Sequence, residues 1–256
     1  MSWRTAVLAA YLLAIHAALA LAAYRLTLEP PVVRMLRDTH RQQDPQVPPG
    51  AVVFLGDSIT QGLAAAAVAS LSINYSISGQ RSDQLLKSLE QYPSLSRASA
   101  VVLTIGTNDV VQGRVADLAQ TYAEILRAVP AAVPVLMNTI PPIRGEHAEG
   151  ALRARAAAVE ACARDARCRL VDLHAAALSH GNALAEDGVH LTESGYIAWA
   201  ALLRNSLRDE GLGVKCQEVL SRNREARHGR SQVDAVMRAM PVVEVGPRRQ
   251  GLAALV

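Results

Sequence analysis

Short apolar runs alternate with longer, mixed stretches from residue 51 onward. The runs are apolar throughout rather than at every second position, which is typical of strands covered on both faces of a parallel sheet. The predicted strands are 51–55, 73–77, 100–105, 133–140 and 169–173, and the predicted helices between them are 62–71, 82–92, 114–129 and 149–166. Strands separated by helices predict an α/β fold with a doubly wound sheet in one domain, which we place at residues 51–210.

The clearest helix signal follows the last predicted strand. Thr192 is the expected N-cap, and Leu191 before it is placed to pack on Tyr196. The apolar residues that follow at helical spacing are Tyr196, Trp199, Ala200, Leu203 and Leu207. We expect this face of the helix to lie in the core.

The amino-terminal segment has a different pattern. Residues 6–24 read AVLAAYLLAIHAALALAAY and have no polar face, so we predict that segment 1–28 is a transmembrane helix or a signal peptide. Small residues within 18–23 fit a cleavage site, so both interpretations stay open. Arginines flank the segment on both sides and do not fix its orientation. We favour a domain outside the cytoplasm, in the cell envelope, either membrane-anchored or exported.

Two further segments lie outside the alternating pattern. Residues 29–50 contain five prolines and mixed charge, which is typical of a linker or a loosely packed lead-in. Residues 211–256 form an Arg-rich tail that we predict to be disordered, and within it residues 217–256 carry seven Arg against four Asp and Glu. The net charge of the whole chain is only +3, too small to indicate a nucleic-acid partner.

The chain has three cysteines, at Cys162, Cys168 and Cys216. No pair of them, and no Cys/His pair, has the spacing of metal ligands, so we predict no metal site. Cys162 and Cys168 can pair if the protein is exported. Three unpaired thiols without a role are the simpler interpretation.

Polar residues follow the predicted strands where each one ends. Ser58 follows the first strand, Gly79 the second and Asn108 the third, and Asp187 and His190 lie in the loop before the last helix. In a doubly wound sheet, functional groups gather outside the carboxyl ends of the strands. One edge of the sheet therefore collects the groups that acyl transfer requires.

Each of these residues has a chemical role available to it. A serine hydroxyl attacks poorly unless a base removes its proton, and the His190 imidazole suits that task near neutral pH. A carboxylate such as Asp187 fixes the tautomer of that imidazole. The backbone N–H groups of Ser58 and Gly79, with the Asn108 amide, are candidate donors to an oxyanion. Each residue alone is more typical of a turn or a cap, and only their joint placement indicates catalysis.

The same residues resemble a known family. GDSIT at 56–60, the glycine at 79, GTND at 106–109 and DGVH at 187–190 resemble the four ordered blocks of the SGNH, or GDSL-type, hydrolases. The resemblance covers roughly residues 50–208. It implies a three-layer, flavodoxin-like sheet, a serine esterase activity and no cofactor. The sequence NYSISG around the second block looks most like the bacterial thioesterase and lysophospholipase branch.

The resemblance also assigns roles to individual residues. It implies Ser58 as nucleophile, His190 as base with Asp187 as its orienting partner, and Gly79 and Asn108 as oxyanion donors. We expect a small-molecule substrate that is a lipid, acyl or O-acetyl-sugar ester or thioester, and a membrane tether favours lipid or envelope esters. Two alternatives stay open: an acyltransferase that uses the same site, and a membrane-tethered binding protein that no longer turns over.

Four other residues near the strand ends resemble catalytic groups. We expect Asp57 and Asp109 to hold loops through hydrogen bonds rather than to transfer protons. His174 and His180 lack a carboxylate in the expected position and are interpreted as structural or exposed.

Overall fold

A computed structural model describes residues 3–27 and 30–211 of the chain. It confirms the α/β fold with a five-stranded parallel sheet. The strands are β1 Val52–Gly56, β2 Ser72–Asn74, β3 Ala100–Thr104, β4 Val135–Asn138 and β5 Cys168–Val171. Their spatial order is β2-β1-β3-β4-β5, and every neighbouring pair is parallel. This is the strand order of flavodoxin-like folds.

Helices and short turns connect the strands. The α-helices are α1 Trp3–Thr27, α2 Pro31–Gln43, α3 Ser58–Gln61, α4 Ala65–Val68, α5 Ser82–Ser88, α6 Thr107–Val111, α7 Leu118–Ala128, α8 Ala148–Ala163, α9 Leu173–Ser179 and α10 Glu193–Asp209. The 3₁₀ turns are Asp44–Gln46, Leu89–Gln91, Pro93–Arg97 and Gly145–His147.

The sheet separates two apolar cores. Val53 and Leu55 of β1 lie in the core that also contains residues of α5, α7 and α8. Val52 and Phe54, which alternate with them, lie in the core formed with α9 and α10. All four side chains are at most 1% exposed. Since successive strand residues point to opposite faces, these continuous apolar runs give a sheet covered on both sides, in three layers.

Helix α10 forms as its sequence predicts. The hydroxyl of Thr192 accepts a hydrogen bond from the Gly195 N–H at 3.1 Å, so the N-cap prediction is confirmed. Trp199, Leu203 and Leu207 are buried. The helix therefore packs its predicted face on the sheet and fixes the position of the loop that precedes it.

The predicted helix over 62–71 does not form as one element. Gly62 caps the four-residue helix α3, and Ala64 then adopts an extended conformation with ψ 90° before the short helix α4 begins. The predicted strand 133–140 is also longer than β4, because Pro134 has no N–H to donate and the chain leaves the ladder after Asn138.

The segment before the sheet is more ordered than its prolines predict. Helix α2 occupies most of the predicted linker. Pro31 is compatible with this helix because it stands in the first turn, where the N–H that proline lacks would have no partner within the helix. Asp44, only 2% exposed, accepts hydrogen bonds from the Tyr75 hydroxyl at 2.9 Å and the Ser94 N–H at 3.1 Å. The prediction of a loosely packed lead-in is therefore wrong for this segment, which is anchored on the domain.

The amino-terminal prediction has a mixed outcome. Residues 3–27 form α1, but among the described residues no helix has the length and apolar character needed to cross a membrane. The expected transmembrane helix is thus not found there, and the signal-peptide interpretation stays a prediction. Beyond Gly211, the basic tail and Cys216 lie outside the described residues.

Cys162 and Cys168 form a disulfide, so the interpretation of three unpaired thiols is wrong. Cys162 lies near the end of α8 and Cys168 begins β5. The disulfide therefore links the last turn of α8 to β5, which is an edge strand of the sheet.

Candidate active site

Ser58 stands where β1 ends and α3 begins. The strand stops at Gly56, and the Asp57 carboxylate then accepts a hydrogen bond from the Ile59 N–H at 3.0 Å, which caps the new helix. Ser58 is the first residue of that helix and is half-buried. The apolar run therefore ends in a capped turn that presents a hydroxyl at the carboxyl edge of the sheet.

The structure brings Ser58, His190 and Asp187 into one hydrogen-bonded chain. Ser58 Oγ lies 2.9 Å from His190 Nε2, although 132 residues separate the two. His190 Nδ1 lies 2.6 Å from Asp187 Oδ2. When Nδ1–H is donated to the carboxylate, the lone pair of Nε2 is free to accept the serine proton.

The loop that carries Asp187 and His190 is held by its own backbone. Asp187 Oδ1 accepts hydrogen bonds from the N–H groups of Val189 at 2.9 Å and His190 at 3.0 Å. Gly188 has a φ of +70°, a conformation that glycine adopts at little cost. The Val189 N–H bond, with the hydrogen bonds from His190, lowers the pKa of Asp187 to about 2. The carboxylate is therefore charged throughout the pH range in which an imidazole can act as a base.

Gly79 lies in the loop after β2, and Asn108 lies in the first turn of α6, which follows β3. Gly79 has a φ of +78° and is exposed. Asn108, in α6, donates a hydrogen bond from Nδ2 to the Gln80 carbonyl at 3.0 Å. This bond ties the side chain of one candidate donor to the residue next to the other, and it leaves the second N–H of the amide for another acceptor.

Two buried carboxylates join the loops behind these groups. Besides capping α3, Asp57 accepts a hydrogen bond from the Thr107 N–H at 3.3 Å. Asp109 accepts from the Ser82 N–H at 2.9 Å and from the Ser82 hydroxyl at 2.7 Å. The expectation that both aspartates hold loops is confirmed. Burial raises the pKa of Asp57 to about 6, against the hydrogen bonds that lower it.

His174 and His180, the two other histidines considered as a base, take no part in these hydrogen bonds. His174 is 4% exposed, and burial lowers its pKa. His180 is exposed at the end of α9. His174 is thus buried and His180 exposed, in agreement with the interpretation of both as structural or exposed.

Sequence reasoning missed two contacts made by the end of α3, the helix that begins with Ser58. Gln61 accepts a hydrogen bond from the Ser78 N–H at 2.6 Å and so connects α3 to the loop of Gly79. Tyr196 lies against Gly62, where an added Cβ would come within 2.3 Å of the tyrosine hydroxyl. No local pattern announces either contact, because both depend on segments that are distant in sequence. In the described part of the chain, no cluster of three or more His, Cys, Asp or Glu side chains could hold a metal.

A family comparison gives the same result as the four sequence blocks. The GDSL-like lipase/acylhydrolase family matches residues 54–198, more than half of the chain. The protein belongs to this family. The matched range includes all five residues that the sequence singled out, and no curated protein matches the chain.

Solved structures have the same fold at low sequence identity. A GDSL-like lipase from Bacteroides thetaiotaomicron is 22% identical with a TM-score of 0.55, covering 68% of this chain and 98% of its own. A variant of an acetyl xylan esterase from Geobacillus stearothermophilus is 21% identical with a TM-score of 0.54, covering 64% and 96%. TesA is 20% identical with a TM-score of 0.53, covering 62% and 99%. These likenesses show that the chain shares the fold of these proteins.

Proposed function

We propose that this protein is a serine hydrolase that cleaves carboxylic esters or thioesters through an acyl-Ser58 intermediate. The observation that carries the proposal is the hydrogen-bonded chain from Ser58 Oγ through His190 to Asp187, at 2.9 Å and 2.6 Å. Such a chain needs a nucleophile, a base and a group that orients the base, and these are its three members.

The first half of the reaction forms the acyl-enzyme. Ser58 Oγ attacks the carbonyl carbon of the substrate while His190 Nε2 takes the hydroxyl proton, and Asp187 stabilises the imidazolium that results. The N–H groups of Ser58 and Gly79 and the free N–H of the Asn108 amide donate to the oxyanion. The tetrahedral adduct then collapses, and the departing oxygen or sulfur takes the proton from His190.

The second half releases the acid. A water molecule attacks the acyl carbon, gives its proton to His190 Nε2 and forms a second oxyanion at the same donors. When this adduct collapses, Ser58 Oγ leaves and recovers the proton from His190. The carboxylic acid departs, and the hydrogen-bonded chain is restored.

Substitution of the nucleophile and of the base tests the mechanism. We expect Ser58→Ala and His190→Ala each to abolish most turnover of a p-nitrophenyl ester. We also expect a fluorophosphonate probe to label the wild-type protein and not the Ser58→Ala variant. A Ser58→Ala variant that hydrolysed the ester at the wild-type rate would refute the proposal, and His180→Ala serves as the control because His180 lies outside the chain of hydrogen bonds.

Lipid, acyl and O-acetyl-sugar esters all stay within the proposed substrate range. Two structural neighbours are described as a GDSL-like lipase and an acetyl xylan esterase, and at about one-fifth identity neither selects a substrate. A panel of esters that differ in acyl length and in leaving group separates these classes directly.

We further propose that the domain works outside the cytoplasm, in an oxidising compartment. The Cys162–Cys168 disulfide supports this location, since such bonds persist in exported proteins and are rare in a reducing cytosol. Cell fractionation followed by thiol alkylation tests it. Recovery of the protein in the cytoplasm with both thiols reduced would contradict it.

A further inference from the structure

A cavity lies beside the loop that carries His190. Its volume is about 390 Å³, within the size range of pockets that bind small molecules. The residues that line it are Pro142, Ile143, Arg144, Ala148, Leu152, His174, Ala177, Leu178, Gly181, Ala183 and Leu184. They come from the loop after β4, from α8 and α9, and from the loop after α9.

The interior of this cavity is apolar and carries no buried charge. Eight of the lining residues are Ala, Leu, Ile or Pro. His174 is 4% exposed, burial lowers its pKa, and its Nδ1 has no hydrogen-bond partner among the described residues. Arg144, the one permanent charge in the lining, is exposed. The cavity therefore suits an apolar chain better than an ionic or heavily hydroxylated ligand.

The rim of the cavity exposes more apolar surface. Leu152 is 53% exposed and Leu178 is 64% exposed, and they stand on different helices, α8 and α9. Large apolar side chains that stay exposed around a concavity are typical of a binding site. A bound chain would remove both from water.

The cavity wall is connected to the catalytic loop on two sides. The Arg144 N–H donates to the Gly188 carbonyl at 2.9 Å, and the Thr192 N–H donates to the Ala183 carbonyl at 2.8 Å. Gly188 is two residues from His190, a span of at most about 7 Å. The apolar wall is thus hydrogen-bonded on two sides to the segment that carries the imidazole beside Ser58.

We propose that this cavity receives the acyl chain of the substrate, so that the enzyme prefers unbranched acyl groups of medium length over acetyl groups. This inference rests on the proposed function, because it takes Ser58 as the atom that attacks the carbonyl at the head of the chain. The chain would lie along Ile143 and Ala177, with Leu152 and Leu178 closing over its far end.

Filling the cavity tests this assignment. Ala148 is exposed at the start of α8, so Ala148→Trp adds bulk at the cavity without crowding the core. We expect it to lower the ratio of kcat/KM for p-nitrophenyl decanoate to that for p-nitrophenyl acetate at least tenfold. Ala156→Trp, an exposed position on the same helix outside the lining, is the matched control and should keep the wild-type ratio.

A binding measurement separates this inference from the proposed function. Calorimetry should detect binding of decanoate to the Ser58→Ala protein, and Ala148→Trp in that background should abolish it while Ala156→Trp does not. Decanoate binding that Ala148→Trp leaves intact, or an unchanged decanoate-to-acetate ratio, would overturn the cavity assignment. A wild-type protein that hydrolyses no ester but passes the calorimetric test would overturn the esterase and leave the apolar site standing.

Discussion

Asp57 and Asp187 both lie close to the proposed nucleophile and base, but their surroundings shift their pKa values in opposite directions. Asp57 precedes Ser58, is fully buried, and has its pKa raised by that burial to about 6. Asp187 binds His190, has a half-exposed side chain, and has its pKa lowered to about 2 by hydrogen bonds. The same type of side chain thus holds its proton more tightly at position 57 and loses it more readily at position 187.

The difference follows from what each carboxylate binds. Asp57 accepts from the backbone of Ile59 and Thr107, so it fastens the loop after β1 to the loop after β3. Asp187 accepts from the His190 ring and from the backbone of its own loop. We infer that Asp57 contributes mainly to the stability of the site and Asp187 mainly to the chemistry. Substitutions at the two positions should therefore separate stability from turnover.

The largest effect is expected at Asp187. An asparagine there would present an N–H to the ring nitrogen that now donates, which favours the wrong tautomer of His190. By analogy with such changes in other triads, kcat should fall on the order of 10³ to 10⁴-fold. Two quantities are measured for the variant: kcat with a p-nitrophenyl ester, and the urea concentration at the midpoint of unfolding. A large fall in the midpoint together with a modest fall in kcat would reverse the roles given to the two aspartates.

Removal of the buried carboxylate should act on stability instead. Asp57→Ala leaves the N–H groups of Ile59 and Thr107 without their acceptor, and a buried unpaired donor costs about 1–3 kcal/mol. We expect urea unfolding near pH 5, below the raised pKa of Asp57, to show a loss of about 2–4 kcal/mol. Asp117→Asn is the control, since that side chain is exposed and makes no capping bond. A wild-type unfolding free energy for Asp57→Ala would contradict the structural role.

The raised pKa of Asp57 also makes a prediction about pH. Because the folded state holds this proton more tightly than the unfolded chain, whose carboxyl has its ordinary pKa of 3.8, the associated stability is fully present below about pH 4. It is lost as the pH rises through about 6, by on the order of 3 kcal/mol at 1.36 kcal/mol per pKa unit.

The neutral variant Asp57→Asn isolates this effect. As the pH rises across that window, the wild type should lose unfolding free energy relative to the Asp57→Asn variant. Taking the difference removes the opposite slopes of Asp172 and Asp187, whose pKa values are lowered. A difference that stays constant from pH 4 to about pH 7 would show that burial does not hold the proton on Asp57.

The sequence was sufficient to predict the existence of the five strands and the residues that meet at the candidate site, because both leave a local pattern in the chain. A buried parallel strand must be apolar at every position, so β1 and β3 are readable from a few letters, and the polar residue after each strand marks the functional edge. Spacing within one loop likewise pairs Asp187 with His190.

Contacts between distant segments that do not lie at the ends of strands could not be predicted in this way. The turn that follows α2 is held by the hydrogen bond from the Ser94 N–H to Asp44, and these residues are 50 positions apart in the sequence. The prolines of this segment predicted a linker instead. The contact of Tyr196 with Gly62 likewise joins segments that are distant in sequence. Whether a polar side chain is buried depends on its hydrogen-bond partners, and the local sequence does not show which distant residues these are.

The smallest expected effect distinguishes backbone strain from contact in the catalytic loop. Gly188 and Gly113 have φ values of +70° and +68°, so alanine at either position should cost about 1–2 kcal/mol of stability. A Cβ at Gly188 would also lie 2.8 Å from Arg144 Cβ, whereas a Cβ at Gly113 would meet nothing within 4 Å. Only Gly188→Ala should therefore displace His190 and lower kcat, by several-fold. Equal losses of kcat in both variants would mean that the Arg144 contact does not position the base, and that the loop owes its geometry to the Asp187 hydrogen bonds alone.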